Sequence, residues 1–372
     1  MQKCPYCDFN SHAAPEPPLY SAYIDALLRD LEWELPGIWG RPVHSIFIGG
    51  GTPSIFPAEQ IEHLLSGIRA RVPFGPDLEV TLEANPGTAE QGRFMGYRSA
   101  GVNRLSIGVQ SFNNNHLQKL GRIHDGVEAA TAVEMAREAG FEQINLDLMF
   151  GLPHQDRSEV IEDLQRAVAL GVDHLSWYQL TMEPNTQFGH QPPSLPDDDE
   201  LWEMQLKGQE LLQGEGLEQY EVSAYARKKS ECRHNLNYWR FGDYLGIGAG
   251  AHTKITMAAD GAVIRSSRHK SPHHYMDGAG SERVLSGRYA VVEQDIPLEF
   301  MMNRLRLNEP FTVGQFEERT GCGWNKVESA VEEGCREGLL LRTGEQVVAT
   351  DRGRQFLNDL LALFMDIKRN GE

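Results

Sequence analysis

The chain has 372 residues, of which 40% are hydrophobic, enough for one barrel-sized domain and a smaller one. Its 35 basic and 53 acidic residues give a net charge of −18, which argues against nucleic acid as a partner. No apolar run is as long as a membrane span, no signal peptide opens the sequence, and five unevenly spaced cysteines suit a reducing compartment, so we expect a cytoplasmic protein.

Two cysteines, Cys4 and Cys7, lie near the start of the sequence in the string Cys-Pro-Tyr-Cys. Thiols at this spacing can ligate one metal or iron–sulfur cluster, or form a redox disulfide. A thioredoxin-like disulfide site would need a strand before the motif and a helix directly after it. Only three residues precede Cys4, and the segment 11–18 contains three prolines, which exclude a helix. The pair therefore favours cluster ligation.

Hydrophobic periodicity predicts a helix over residues 19–35, followed by strands that alternate with helices. This alternation is typical of a parallel sheet with right-handed crossovers, either open or closed into a barrel. The predicted strands are Val43–Ile48, Leu78–Ala84, Asn103–Gly108, Gln143–Met149 and His174–Leu180, and the predicted intervening helices are Pro57–Arg71, Ala89–Ala100, Gly126–Ala139 and Ser158–Leu170.

Polar or glycine residues follow or close each predicted strand. In parallel barrels the carboxyl ends of the strands carry the active site, because the loops after them converge there. A single acid at such a position could equally cap a loop, but a polar residue at every strand end indicates a ligand site. These residues are Gly49–Thr52, Glu83, Gln110, Asp147 and Tyr178–Thr181, in chain order.

The cysteine pair, followed about forty residues later by a Gly-Gly-Gly-Thr-Pro turn, resembles the radical S-adenosylmethionine (SAM) superfamily. That family's signature, Cys-x3-Cys-x2-Cys, places three thiolates on a [4Fe–4S] cluster and leaves the fourth iron open for SAM. Cys4 and Cys7 match the second and third positions, and the first position would lie one residue before Met1. The strand that precedes the triad in the family is missing as well. We therefore expect a misplaced start or a truncation, and a labile cluster or none in the chain as written.

On its own, the glycine-rich turn is most often a plain tight turn, and it matches neither a Rossmann fingerprint nor a Walker loop. The resemblance implies that Gly50, Gly51 and Thr52 contact the methionine amino group of SAM. It also implies that Tyr6 lies against the adenine. The remaining SAM-contacting positions, taken from the coproporphyrinogen-oxidase-like branch of the superfamily, are Glu83, Gln110, Arg122 and Asp147.

A second motif, Cys-Arg-His-Asn-Leu-Asn-Tyr-Trp, covers residues 232–239. A histidine flanked by aromatic residues can ligate haem iron, although a loop histidine of this kind is more often structural. The string His-Asn-x-x-Tyr-Trp resembles the haem-binding motif of the haem-chaperone branch. This resemblance implies His234 as the iron ligand, with Asn235, Tyr238 and Trp239 completing the haem site. Cys232 is a weaker candidate because it lies outside that motif.

From about residue 293 the pattern becomes helix, helix, short hairpin and helix, which resembles the winged-helix-like C-terminal domain of the same family. The predicted helix 324–338 carries the acidic residues Glu328, Glu332 and Glu333, which would repel phosphate, so DNA binding is not expected. The predicted fold is α/β: a partial (β/α)6 barrel without its first strand, and a small α+β C-terminal domain. The predicted domains are residues 1–230, 231–290 (the haem-motif segment) and 291–372, with an open sheet edge at strand Val43–Ile48.

Two departures from the oxygen-independent coproporphyrinogen III oxidase bear on function. The oxidase has another cysteine where this chain has Phe9, and it lacks the His-Asn-x-x-Tyr-Trp string. The resemblance therefore implies a haem chaperone that binds a [4Fe–4S] cluster, SAM and haem. Such a protein delivers haem to acceptors such as respiratory enzymes, and a homodimer is compatible with this role. The alternatives are a radical oxidase that uses a 5′-deoxyadenosyl radical, and a cluster-free structural protein.

Overall fold

The structure, a computed structural model, describes residues 3–12, 16–38, 40–87 and 92–366. Contacts divide these residues into two units, and neither unit is one continuous stretch of chain. The first unit contains the described residues up to Gln219, together with Ser223–Glu231 and Lys270–Ser281. The second contains Tyr220–Val222, Cys232–His269 and the residues from Glu282 onward. The domain boundaries expected from the sequence stay a prediction.

Strands and helices alternate along the first part of the chain, as expected from the hydrophobic pattern. In chain order the elements are α1 (Tyr20–Ile38), β1 (Val43–Ile48), α2 (Ala58–Arg69), β2 (Phe74–Ala84), α3 (Phe94–Ala100), β3 (Arg104–Gln110), α4 (Asn114–Lys119), α5 (Gly126–Glu138), β4 (Gln143–Phe150), α6 (Arg157–Ala169), β5 (His174–Gln179), α7 (Gln187–His190), α8 (Asp198–Gly214), β6 (Glu218–Glu221) and β7 (Ala224–Ala226).

These strands form one sheet in the order β1-β2-β3-β4-β5-β7-β6. Strands β1 to β5 pair in parallel with their sequence neighbours, and β7 runs antiparallel to β5. This arrangement confirms the predicted partial barrel. Strand β1 lies at the edge of the sheet and, within the described residues, pairs with β2 alone, so the expected open edge is also confirmed.

The core of the first unit lies between the sheet and its crossover helices. All seven residues of β3 are buried, and Leu105 and Ile107 pack in one hydrophobic cluster with Ala129 and Ala132 of α5. Small alanine side chains on α5 let the helix approach the sheet closely. Helices α5 and α6 each begin with a capping box, which fixes where the helix starts after the strand-end loop.

Three local features differ from the sequence expectations. The alternating pattern of residues 218–226 predicts one strand, whereas the structure has two, β6 and β7. Helix α4 was missed because its run of asparagines favours turns. The side chain of Asn113 caps α4 by accepting a hydrogen bond from the Asn115 N–H. The predicted helix Ala89–Ala100 appears as α3, and residues 88–91 lie outside the described part of the chain.

The remaining elements complete the chain. They are α9 (Arg233–Trp239), β8 (His252–Thr256), β9 (Val263–Arg268), α10 (Pro272–Gly278), β10 (Leu285–Ala290), α11 (Ile296–Arg304), β11 (Phe311–Thr312), α12 (Val313–Thr320), α13 (Glu328–Arg336), β12 (Leu340–Thr343), β13 (Gln346–Ala349), α14 (Asp351–Gln355) and α15 (Leu357–Asp366).

The second unit has two small antiparallel sheets, in the orders β10-β9-β8 and β11-β13-β12. The hairpin β12–β13 and the helices around it agree with the predicted C-terminal domain. Its core contains edge-to-face aromatic contacts, with Phe300 lying 5.4 Å from Phe311 and 5.3 Å from Phe316 between ring centroids. Among the described helices, none combines the length and the apolar composition that crossing a bilayer requires.

A buried ion pair joins neighbouring strands of the large sheet at the end opposite the strand carboxyl ends. Arg104, at the start of β3, donates from Nε to Glu79 Oε2 of β2 at 3.1 Å. Its Nη2 donates to Gln143 Oε1 of β4 and to the Ser230 carbonyl, both at 3.0 Å. Because both charges are almost fully buried, removing one would leave the other without compensation.

We therefore expect Glu79→Gln to lower the free energy of unfolding by about 3 kcal/mol, measured by urea denaturation. A matched control is Glu210→Gln, which breaks the exposed Lys207–Glu210 pair and should change stability by less than about 0.5 kcal/mol. Equal effects of the two substitutions would contradict a structural role for the Arg104–Glu79 pair.

Candidate functional site

Polar residues gather where the parallel strands end. The Gly50 N–H, in the turn after β1, donates to Glu83 Oε2 of β2 at 2.9 Å. The Tyr178 hydroxyl of β5 donates to Gln110 Oε1, at the end of β3, at 3.1 Å. Burial raises the pKa of the Tyr178 phenol, and the neighbouring Asp147 adds to the effect. The structure thus brings the residues predicted from the strand ends to one rim of the sheet.

Each of the three glycines in the turn after β1 disfavours a side chain, Gly49 and Gly51 through close contacts and Gly50 through its backbone angle. A Cβ on Gly49 would lie 2.3 Å from the Phe47 ring and 3.0 Å from the Glu83 carboxyl carbon. Gly50 has φ +122°, which residues with side chains rarely adopt. A Cβ on Gly51 would meet Ser11 at 3.3 Å, so the turn packs against the cysteine segment. Thr52 Oγ1 donates to the Gly51 carbonyl at 2.6 Å.

Two acids on the rim are held in an environment that disfavours their charge. Burial raises the pKa of Glu83 to about 7, with a further contribution from Asp147 and a smaller opposing one from the Gly50 N–H. Burial likewise raises the pKa of Asp147, although Asn145 Nδ2 donates to its Oδ1 at 2.8 Å. A cation bound between these acids would favour both carboxylates. The arrangement is therefore suited to a positively charged ligand.

Arg122 connects the rim to the cysteine segment. Its Nη2 donates to Asn85 Oδ1 at 2.8 Å and to the Gly108 carbonyl at 2.7 Å, and its Nη1 lies 3.8 Å from Cys4 Sγ. The Cys7 N–H donates to the Cys4 carbonyl at 3.2 Å, which closes the turn that carries both thiols. Burial raises the pKa of the Cys7 thiol and of the Tyr6 phenol.

The donor set for a cluster is incomplete in the described part of the chain. No three His, Cys, Asp or Glu side chains there are arranged to hold a metal ion. Cys4 and Cys7 supply two of the three thiolates that a radical SAM cluster takes from its protein. The acids of the rim are chemically compatible with the ammonium and sulfonium of SAM, and Cys4 and Cys7 are compatible with two of the thiolate positions of a cluster.

Gln110 has an unusual backbone conformation at the centre of the rim. Its φ is +69°, in the left-handed region that is costly for a residue with a side chain, and its side chain is buried. Strain of this kind is concentrated at functional sites. No sequence pattern signals this conformation.

Several residues that support the rim were missed by sequence reasoning. They are neutral polar residues that contact the predicted ones: Asn85, which binds Arg122, and Ser106 and Asn145, which surround Asp147. Asn145 lies two residues before Asp147 on β4, so both side chains face the same side of the sheet. This spacing of two residues was the sequence feature that could have identified Asn145 as a neighbour of Asp147.

The predicted haem motif lies in the second unit, on the short helix α9 rather than in a loop. Asn235 and Trp239 are one turn apart and contact neighbouring structure: Asn235 Nδ2 donates to the Tyr220 hydroxyl at 3.2 Å, and the Arg306 guanidinium lies 4.3 Å from the Trp239 ring. His234 and Tyr238 are also one turn apart and share a different face of the helix. The candidate ligand His234 therefore shares its face of the helix with Tyr238, whose ring packs on Tyr244.

The chain is similar to known proteins both in its two domains and along nearly its whole length. Residues 1–167 match the model of the radical SAM superfamily, and residues 292–356 match that of the HemN C-terminal domain. The chain is 48% identical to "Heme chaperone HemW" of Haemophilus influenzae, over 98% of this chain and 95% of the relative. The Escherichia coli protein of the same name gives the same values, and the Bacillus subtilis one is 32% identical over 97% and 96% of the two chains.

Among solved structures, coproporphyrinogen III oxidase (HemN) from Escherichia coli is similar in fold, with a TM-score of 0.81. The match covers 98% of this chain and 87% of the oxidase at 22% sequence identity. It supports the fold, including the partial barrel.

The raised pKa of Glu83 predicts a pH-dependent stability. The folded protein retains this proton up to about pH 7, whereas the unfolded chain loses it near the ordinary pKa of 4.5. Between these values the folded state binds more protons, so the free energy of unfolding falls as pH rises through this window. Glu83→Gln cannot ionise, and it should be more stable than the parent at pH 8 by on the order of 3 kcal/mol.

The advantage of Glu83→Gln should disappear near pH 4.5, where the parent carboxyl is protonated in both states. Urea denaturation at intervals between pH 4.5 and 8 measures it, and the exposed Glu210→Gln serves as the control. A difference that does not vary with pH would contradict the raised pKa.

Proposed function

The chain belongs to the radical SAM superfamily and, within it, to the HemW haem chaperones, and on this premise we propose that it binds haem through α9 and delivers it to acceptor proteins. The observation that carries the proposal is the helical spacing of the motif, which places His234 and Tyr238 one turn apart on one face of α9. Contacts of Asn235 and Trp239 hold the helix, and the face shared by His234 and Tyr238 puts an imidazole beside an aromatic ring. An imidazole with aromatic neighbours is a suitable axial ligand set for haem iron.

The role of Trp239 differs from that of His234 in this proposal. Arg306 lies over the Trp239 ring and forms an ion pair with Glu221 at 3.3 Å. This contact stabilises one end of α9. The motif implies that Trp239 packs on the porphyrin, and this stays a prediction. Delivery to respiratory enzymes, a homodimer and a cytoplasmic location also stay predictions.

The rim of the first unit is the proposed SAM site. Glu83 and Asp147 would favour the two positive charges of SAM, and the turn at Gly50, Gly51 and Thr52 would contact its amino group. Gln110, Arg122 and Tyr6 complete the proposed site. In this superfamily a [4Fe–4S] cluster with SAM supplies one-electron chemistry at the sulfonium. The haem delivery that we propose does not require this radical chemistry.

The oxidase alternative has weaker support. Its likeness to this chain at 22% identity concerns the fold alone, whereas the relatives at 48% identity are named haem chaperones. The position two residues after the cysteine pair is Phe9, so the additional cysteine of the oxidase is lacking.

The haem proposal predicts that His234→Ala weakens haemin binding on the order of tenfold and shifts the Soret band, because an iron ligand is lost. Absorption titration of haemin measures both. His273→Ala removes an exposed histidine paired with Asp277 and should leave binding unchanged. If His234→Ala binds haemin with the same affinity and spectrum as the parent, His234 is not the ligand.

The proposed cluster ligation by Cys4 and Cys7 predicts that iron retention depends on both thiols. After anaerobic reconstitution with iron and sulfide, followed by desalting, Cys7→Ser should retain less iron than the parent chain, because a thiolate ligand is lost. Cys335→Ser, which changes a thiol of the second unit, is the control and should retain as much iron as the parent. Equal iron retention by the parent and Cys7→Ser would refute ligation by Cys7.

A further inference from the structure

A second tyrosine lies beside the proposed haem motif without belonging to it. Tyr244 follows α9, and its ring contacts that of Tyr238 edge-on, with 4.6 Å between centroids and 77° between planes. Tyr238 shares its helix face with His234, so Tyr244 contacts a residue of the proposed haem site. Any role of Tyr244 in binding haem rests on the proposed haem function.

The hydroxyl of Tyr244 has a cationic hydrogen-bond donor. Arg265 of β9 donates from Nη1 to the Tyr244 oxygen at 3.2 Å. The same guanidinium is held by Glu299 of α11, whose Oε2 accepts from Nη2 at 2.6 Å and from Nε at 3.0 Å. The arginine is therefore fixed in orientation, with one nitrogen directed at the phenol. A hydrogen bond from a cation stabilises the anionic form of an oxygen acid.

The backbone of Tyr244 is also fixed. Its N–H and carbonyl pair with the carbonyl and N–H of Lys254 in β8, both at 2.9 Å. The Lys254 ammonium is itself buried and donates to Asp243 Oδ1 and to the Phe241 carbonyl, each at 3.0 Å. A side chain mounted on such a backbone presents its oxygen with little conformational freedom, as a metal ligand should.

The neighbouring Tyr238 has a different environment. Within the described residues its hydroxyl makes no hydrogen bond, and its contact is the ring of Tyr244. Burial, together with the neighbouring Tyr244, raises the pKa of the Tyr238 phenol. Of the two tyrosines in contact, only Tyr244 has a guanidinium on its oxygen, so the two should behave differently towards iron.

We propose that Tyr244 is an iron ligand for ferric haem, with Arg265 as the residue that positions and stabilises its oxygen. Tyrosine is an established type of axial haem ligand, and anionic oxygen donors prefer the harder Fe(III) to Fe(II). On binding, the phenol releases its proton to water and the oxygen forms a bond to Fe(III). When a one-electron reductant converts Fe(III) to Fe(II), the Fe–O bond breaks and the phenolate takes a proton from water.

With Tyr244 as a ligand, the site would bind ferric haem more tightly than ferrous haem. Ferric haem is held by the phenolate, and reduction removes that bond while leaving the His234 side of the site intact. The class of ligand is therefore a ferric iron porphyrin, and delivery is promoted by one-electron reduction.

The test compares two conservative substitutions in the same aromatic cluster. Haemin is titrated into the parent chain, Tyr244→Phe and Tyr238→Phe, and the complexes are examined by absorption, resonance Raman and EPR spectroscopy. Tyr244→Phe should lose phenolate-to-iron charge transfer and bind ferric haem on the order of tenfold more weakly. Tyr238→Phe should retain the charge-transfer signal. With dithionite present, the parent and Tyr244→Phe should bind ferrous haem equally.

A second variant keeps the test decisive if Tyr244→Phe folds poorly. Arg265→Gln retains the Tyr244 ring and should weaken ferric binding and shift the charge-transfer band, because the oxygen loses its cationic donor. Charge transfer that persists in Tyr244→Phe, or ferric affinity unchanged in both variants, would overturn the role of Tyr244 and leave the proposed haem function standing. A parent chain that binds no haemin would overturn both.

Discussion

The hydrogen bond from the Gly50 N–H to the Glu83 carboxyl links the ends of two adjacent parallel strands, and the geometry of the rim depends on it. It places a half-buried acid at the glycine-rich turn, and the reduced hydration there raises the pKa of Glu83 to about 7. The same turn packs on Ser11, which brings the cysteine segment to the rim. A bound cation would stabilise the ionised carboxylate of Glu83 in this poorly hydrated position. This is why we propose a sulfonium ligand here.

The two proposed sites are built on different principles. The rim of the first unit collects residues from five strands, and its chemistry follows from parallel pairing, which puts the carboxyl ends together. The proposed site of the second unit uses one short helix, with Asn235 and Trp239 on one face and His234 and Tyr238 on another. Helix α9 has only seven residues, so its position depends on the contacts of Asn235 and Trp239 rather than on intrinsic helix stability.

The sequence predicted the parts of the fold that are buried and regular. Strands β1 to β5 were each located within a few residues, because buried parallel strands are apolar runs between turn residues. The sheet β8–β10 was missed because β10 is almost entirely exposed and lacks an apolar face, and α4 and α9 were missed because they are short and polar. At the rim, Glu83, Gln110 and Asp147 were found from their strand positions. Asn85 and the left-handed backbone conformation of Gln110 were not, since neither a neutral amide nor a local backbone angle leaves a periodic signal.

The first unit takes up the segment Lys270–Ser281 from late in the chain. Tyr275 of this segment is fully buried, and its hydroxyl donates to Asp30 of α1 at 2.9 Å. A fragment that stops after β7 would therefore lack a piece of its own interior and expose Asp30 to a cavity the size of a tyrosine. Dissection of this protein into autonomous halves requires grafting that late segment back, and a simple cut between the two units would yield an impaired barrel.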